Sequence, residues 1–106
     1  MKESQATIST WANEVFGPAG SDARVAARAN EEMAELLRLV TTDNPPPEKL
    51  VEEAADVVII LFRFAERLGE DLLQAIDGKM ALNRSREWKR DGTGHGYHVR
   101  TDKVKS

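Results

Sequence analysis

The chain has no cysteine, which removes disulfides and thiolate metal sites from consideration. It also lacks any apolar run near the ~20 residues that a membrane-spanning helix requires. The amino terminus is polar and shows no signal-peptide pattern, so a soluble, cytoplasmic protein is expected. Internal repeats and low-complexity stretches are absent as well. At 106 residues there is room for one domain with a thin core: a helical part over about 8–90 and a basic Gly/His tail over 91–106.

A net charge of −3 hides an uneven spread. Residues 1–78 hold 7 Lys/Arg against 15 Asp/Glu, whereas residues 79–106 hold 8 against 3. An acidic body is poor footing for a nucleic-acid polymer. It suits a small anionic ligand that must meet both cations and basic side chains, such as a nucleotide with its Mg²⁺. A basic tail with no partner would show the same asymmetry.

Two acidic stretches organise the rest, Glu31-Glu32-Met33-Ala34-Glu35 and Glu52-Glu53-Ala54-Ala55-Asp56. Residues three apart share a helix face, so Glu32 and Glu35 aim at one point, as do Glu53 and Asp56. Glu32 falls in the line Val25, Ala29, Glu32, Leu36, Leu39; Glu53 falls in Leu50, Glu53, Val57, Ile60, Phe64. Both occupy positions where the pattern calls for a core residue, and an uncompensated buried carboxylate is expensive. Residues 41–46 read as a turn, and a hairpin folded there brings the four carboxylates level. Converging carboxylates with no nearby base call for a cation, and all-oxygen ligation suits Mg²⁺ or Mn²⁺. The plain alternative is a solvated acidic face with Arg28–Glu32 and Glu35–Arg38 as surface pairs.

Four helices are expected. The first carries Ile8, Trp11, Ala12, Val15 and Phe16 on one stripe, which makes Trp11 a core residue by pattern, although its ring could also stack on a base. The second runs from a Ser21 or Asp22 cap to about Val40, and the third from Pro47 to about Leu68, with Gly69 as its stop. Val57–Phe62 is apolar all round, which points to a homo-oligomer interface. The fourth is expected over about Asp71–Arg90, with Leu72, Ile76, Lys79, Asn83 and Arg86 on one face and Trp88 on the other. Lys, Asn and Arg on one face make a phosphate and base-edge clamp, or simply a helix leaving the core. Glycines 92, 94 and 96 could bring backbone N–H groups to phosphate, but no helix pattern follows. His95 and His98 have no further ligand cluster beside them in sequence.

In Glu32-x-x-Glu35, seventeen intervening residues and Glu53-x-x-Asp56, the chain resembles the all-α NTP pyrophosphohydrolase superfamily, the MazG-like and dimeric dUTPase group. The likeness extends upstream to Trp11 and Phe16-Gly17-Pro18 and downstream to Lys79-x-x-x-Asn83-Arg84, and its ends are similar to small purine-deoxynucleotide members. The resemblance implies an all-α, four-helix unit that completes its core by homo-oligomerisation into a dimer or, preferably, a tetramer. It implies hydrolysis of a (d)NTP, best dGTP or dATP, to monophosphate and pyrophosphate. Glu32, Glu35, Glu53 and Asp56 would hold Mg²⁺, with Mn²⁺ as a substitute, and so form the catalytic centre. Lys79, Asn83, Arg86 and Trp11 would contact the substrate, and Glu31 and Glu52 would be candidate water-activating bases. Two other classes compete. A non-catalytic helical oligomerisation or adaptor domain would leave the acidic faces at the surface. A di-iron bundle needs Glu-x-x-His repeats in its helices, and both histidines lie beyond them.

Overall fold

The computed structural model describes residues 1–100. The chain divides into two compact units, Met1–Leu72 and a second that begins at Leu73. Among the described residues no helix is long and apolar enough to cross a membrane.

The first unit holds α1 (Gln5–Phe16), α2 (Asp22–Val40) and α3 (Pro47–Arg67). Each start follows from its capping residues. Ser4 and Thr7 form a reciprocal box: Ser4 Oγ accepts from Thr7 N at 3.1 Å, and Thr7 Oγ1 accepts from Ser4 N at 2.8 Å. Ser21 Oγ accepts from Arg24 N at 3.1 Å, so Ser21 rather than Asp22 is the cap of α2. Pro47 opens α3, where its missing N–H costs nothing. The turn between α2 and α3 ends the former with Thr41 and Thr42 hydroxyls donating back to Arg38 O and Leu39 O, each at 2.7 Å.

The two long helices run antiparallel. Their far ends are tied where Arg67 Nε donates to Asp22 Oδ1 at 2.6 Å, and the same guanidinium donates to Ala19 O at 2.8 Å. Both predicted stripes face inward: Val25 and Ala29 are buried, and Glu32, Leu36, Leu39, Leu50, Glu53, Val57, Ile60 and Phe64 are half-buried. The buried apolar residues are Ala12, Val25, Ala29, Phe62 and Ala65, all toward the α1 end of the hairpin. No large side chain is fully buried among the described residues. Beyond Glu32 the hairpin leaves Leu37, Val40 and Val51 exposed, and Val58 and Leu61 are also open.

Trp11 departs from its stripe. It is 53 % exposed and meets Phe16 edge-on at 5.5 Å, because α1 rests on α3 through small Ser9 and Ala12 instead. Gln5 tethers the start of α1 to the end of this unit, accepting from Leu72 N at 2.9 Å and donating to Glu70 O at 2.6 Å.

The second unit corrects the fourth helix. Here α4 spans Leu72–Ser85, and Trp88–Arg90 (β1) pairs antiparallel with Gly96–His98 (β2). Trp88 Nε1 donates to Asn83 O at 2.8 Å, and its ring lies 5.9 Å from that of His98, so the indole packs on the tail. The turn is an Asx turn: Asp91 Oδ1 accepts from Thr93 N at 2.8 Å and from Thr93 Oγ1 at 2.6 Å. Those bonds, the hydroxyl's first, hold the Asp91 carboxyl below its ordinary value. Gly96 is required by close approach, since a Cβ there would run into the Lys89 carbonyl. Tail residues beyond 100 lie outside the described residues.

Arg67 carries the closure of the hairpin's open end. Replacing it with alanine is expected to lower stability by about 1 kcal/mol, a figure kept small because the pair is partly solvated. Urea unfolding of the two proteins checks this.

Candidate functional site

Glu32 comes from the third turn of α2, Glu53 and Asp56 from one face of α3, and the hairpin sets them opposite each other. One carboxylate oxygen from each of the three lies within 4.8 Å of the others. Two oxygens on opposite sides of one Mg²⁺ stand about 4.2 Å apart, so rotations of these side chains bring the set into range. The donors are all hard oxygens, the class that Mg²⁺ and Mn²⁺ take, and the residues fit such a cation. Among the described residues no other group of three or more acidic or histidine side chains has this geometry, and His95 and His98 form none.

Glu35 stands apart from the trio. It is exposed and paired with Arg38 Nη2 at 3.0 Å. The Arg38 pair sets it apart rather than helix phase, since Asp56 stands at the same three-residue offset from Glu53 and joins the trio. Glu31 and Glu52 are exposed as well, the first 3.2 Å from Arg28 and the second 3.9 Å from Lys49.

Charge at the trio is partly met from its own helix. Arg28 Nη1 stands 2.7 Å from Glu32 Oε2, and the Glu32 side chain keeps only 14 % of its exposure. The pair that the solvated reading calls a surface bridge therefore has one end turned into the hairpin.

Glu32 and Asp56 also line a cleft of ≈ 500 Å³. Trp11, Phe16 and the Gly17–Gly20 loop make its apolar wall, and Arg24, Arg28 and Arg63 bring cations to it. Arg63 fixes that wall, donating to Gly17 O at 2.6 Å and Asn13 Oδ1 at 3.0 Å. Gly17 holds φ 81°, a left-handed backbone that an L side chain would strain. The sequence reading passed over Arg63; a cation inside the apolar run Phe62–Phe64 was the available signal. An aromatic slot next to converged carboxylates has the chemistry to seat a base and bind a phosphate-bound cation together.

Lys79, Asn83 and Arg86 lie in the second unit. Lys79 and Asn83 are on α4, and Arg86 follows its end, its N–H bonded to Asn83 O at 3.2 Å. The His98 imidazole is held below its ordinary pKa by burial first, then by Arg86, Arg100 and Lys79, cations that this unit gathers around the ring.

No protein-family model matches the chain. Two curated proteins do, both named dATP/dGTP diphosphohydrolase. The relative from Cyanophage S-2L is 33 % identical over 97 residues, which cover 92 % of this chain and 86 % of that protein. The one from Salmonella phage PMBT28 is 35 % identical over 104 residues, and the chain spans only 33 % of its length. Among solved structures, the Cyanophage S-2L MazG-like pyrophosphohydrolase bound to dGDP and three catalytic Mn²⁺ ions per active site superposes with a TM-score of 0.74. It is 32 % identical, over 92 % of this chain and 91 % of that one. With that identity across nearly its whole length and the same all-helical frame, the chain belongs to the MazG-like all-α pyrophosphohydrolase superfamily.

Proposed function

We propose that the protein is a divalent-metal-dependent pyrophosphohydrolase that converts a purine deoxynucleoside triphosphate, dGTP or dATP, to the monophosphate and pyrophosphate. The observation that carries this reading is the meeting of Glu32, Glu53 and Asp56 at the edge of an aromatic-walled cleft. The Cyanophage S-2L relative's dGDP and Mn²⁺ support both the ligand class and the metal. Mg²⁺ is the physiological cation in this proposal, with Mn²⁺ as its substitute.

Glu32, Glu53 and Asp56 would hold the metal directly. Glu35 would join by turning from Arg38, a movement its exposure leaves free. A cation held there would neutralise triphosphate charge and lower the pKa of a bound water. Trp11 and Phe16 would stack on the base, and the Arg63-braced loop would keep bulk water from that side of the cleft. One water oxygen would add to a phosphorus of the α–β bridge as the bond from that phosphorus to the bridging oxygen breaks, the bridging oxygen leaving with the other phosphate and the water's proton passing to solvent. Lys79, Asn83 and Arg86 would grip phosphate or sugar, the role the family resemblance gives them. The cytoplasm, where such substrates occur, is the expected compartment.

Pyrophosphate release from a panel of NTPs and dNTPs with Mg²⁺ tests the activity. No release from any member would leave the adaptor reading standing.

Metal binding has a signature in stability. In EDTA the like charges of the trio repel, so Glu53→Gln is expected to melt about 2–5 °C above wild type, equivalent to under ~1 kcal/mol. It should gain less from millimolar Mg²⁺ and lose nearly all hydrolysis. Equal Mg²⁺ shifts in both proteins would remove the carboxylate site.

Lys79→Ala and Asn83→Ala are each expected to cut kcat/KM by about tenfold or more, ~1.4 kcal/mol of transition-state stabilisation. Wild-type kinetics in both would assign that face to solubility.

The thin core and the exposed apolar residues of α2 and α3 support a dimer or tetramer. Sedimentation at micromolar concentration should show no active species at the 11.8 kDa of one chain.

A further inference from the structure

Three arginines line the cleft, and their partners differ in kind. Arg63 is spent on Asn13 and Gly17, holding the loop. Among the described residues, the Arg24 side chain has no hydrogen bond or ion pair. Arg28 alone is paired with the carboxylates themselves, 2.7 Å from Glu32 and 3.2 Å from Glu31.

We propose that Arg28 is a resident counter-ion: it neutralises Glu32 until a divalent cation takes that oxygen, and its released guanidinium then binds substrate phosphate. This rests on the metal-site reading given above.

Four features support it. The first is an asymmetry of burial. Glu32 keeps 14 % of its side-chain exposure and Arg28 keeps 57 %, so the acid is fixed and the cation is the part free to move. The second is charge. A half-buried carboxylate near two others is costly unpaired, and a guanidinium is the cation that no ordinary pH removes. Arg28 therefore competes with a metal for the same oxygen wherever the protein is folded.

The third feature is direction along the helix. A pair with the acid on the amino-terminal side is the more favourable order for a helix, and Glu35–Arg38 has it. Arg28–Glu32 runs the other way, so helix stability alone does not account for it. The fourth is what would retain Arg28 after release. Glu31 is exposed and already touches the guanidinium, and Arg28 lines the same cleft as Asp56. A planar fork there can meet two phosphate oxygens at once.

Calorimetric titration of Mn²⁺ alone into wild type, Arg28→Gln and Arg28→Lys tests the proposal, followed by titration of a non-hydrolysable triphosphate analogue into the Mn²⁺-loaded proteins. Arg28→Gln is expected to bind Mn²⁺ about fivefold more tightly, ~1 kcal/mol, because its competitor is gone. It should also bind the analogue roughly tenfold more weakly and melt below wild type in EDTA. Arg28→Lys keeps the charge and should restore most of the wild-type Mn²⁺ affinity. Unchanged or weaker Mn²⁺ binding in Arg28→Gln overturns the counter-ion role, while tighter Mn²⁺ with unchanged analogue binding overturns the phosphate role. Wild type that takes no Mn²⁺ would overturn the metal site itself, a result distinct from either.

Discussion

The rest of the first unit depends on placing carboxylates in the seam between two antiparallel helices. Glu32 and Glu53 stand in lines that are otherwise apolar, so the seam that would build a core here carries charge instead. The consequence is visible in where burial lies. Val25, Ala29, Phe62 and Ala65 pack toward the α1 end, and past Glu32 the inward residues are only half-buried. A short helical chain has few other places to bury apolar area. The exposed Leu37, Val40, Val51, Val58 and Leu61 are the counterpart of that division.

Because the seam contributes less packing, directional contacts close the unit. Arg67 ties the first turn of α2 and the preceding loop to the last turn of α3, and Arg63, one turn earlier in α3, ties in the end of α1. Three of these four bonds end on Gly17, Ala19 and Asp22, in or next to the 17–20 loop that walls the cleft. Stability and the shape of the binding surface thus rest on the same two side chains, whereas Arg28 is held only by acids.

Helix phase was legible in the sequence because it is a local property. The stripes through Glu32 and Glu53 needed nothing beyond residue spacing, and each predicted inward residue on them is buried or half-buried. The turn, Pro47 and the α3 stop were equally local. Trp11 was misplaced because its stripe position says which face it occupies and not how closely α3 approaches that face; Ser9 and Ala12 decide that. The fourth helix was overextended for a different reason. Asp91-Gly92-Thr93-Gly94 between Trp88–Arg90 and Gly96–His98 is a hairpin signal, and the helical spacing of Lys79, Asn83 and Arg86 hid it. Glu35 shares a face with Glu32 by spacing, and its pairing with Arg38 is a side-chain choice that spacing alone does not decide.

The same phase argument separates what in this hairpin tolerates change from what does not. At about 1.5 Å per residue, Glu32 lies roughly 12 Å before the end of α2 and Glu53 about 9 Å after the start of α3. Residues 41–46 absorb the difference, with Asn44 at φ 47° helping to reverse the chain. An added residue there changes the turn and leaves both stripes pointing inward. One added between Leu36 and Val40 rotates everything before it by about 100° relative to the end of the helix, which carries Glu32 out of the seam or the leucines out of it. A turn that tolerates insertion and helix interiors that do not therefore have one cause. The site is a matter of helix phase, and the turn only has to return the chain.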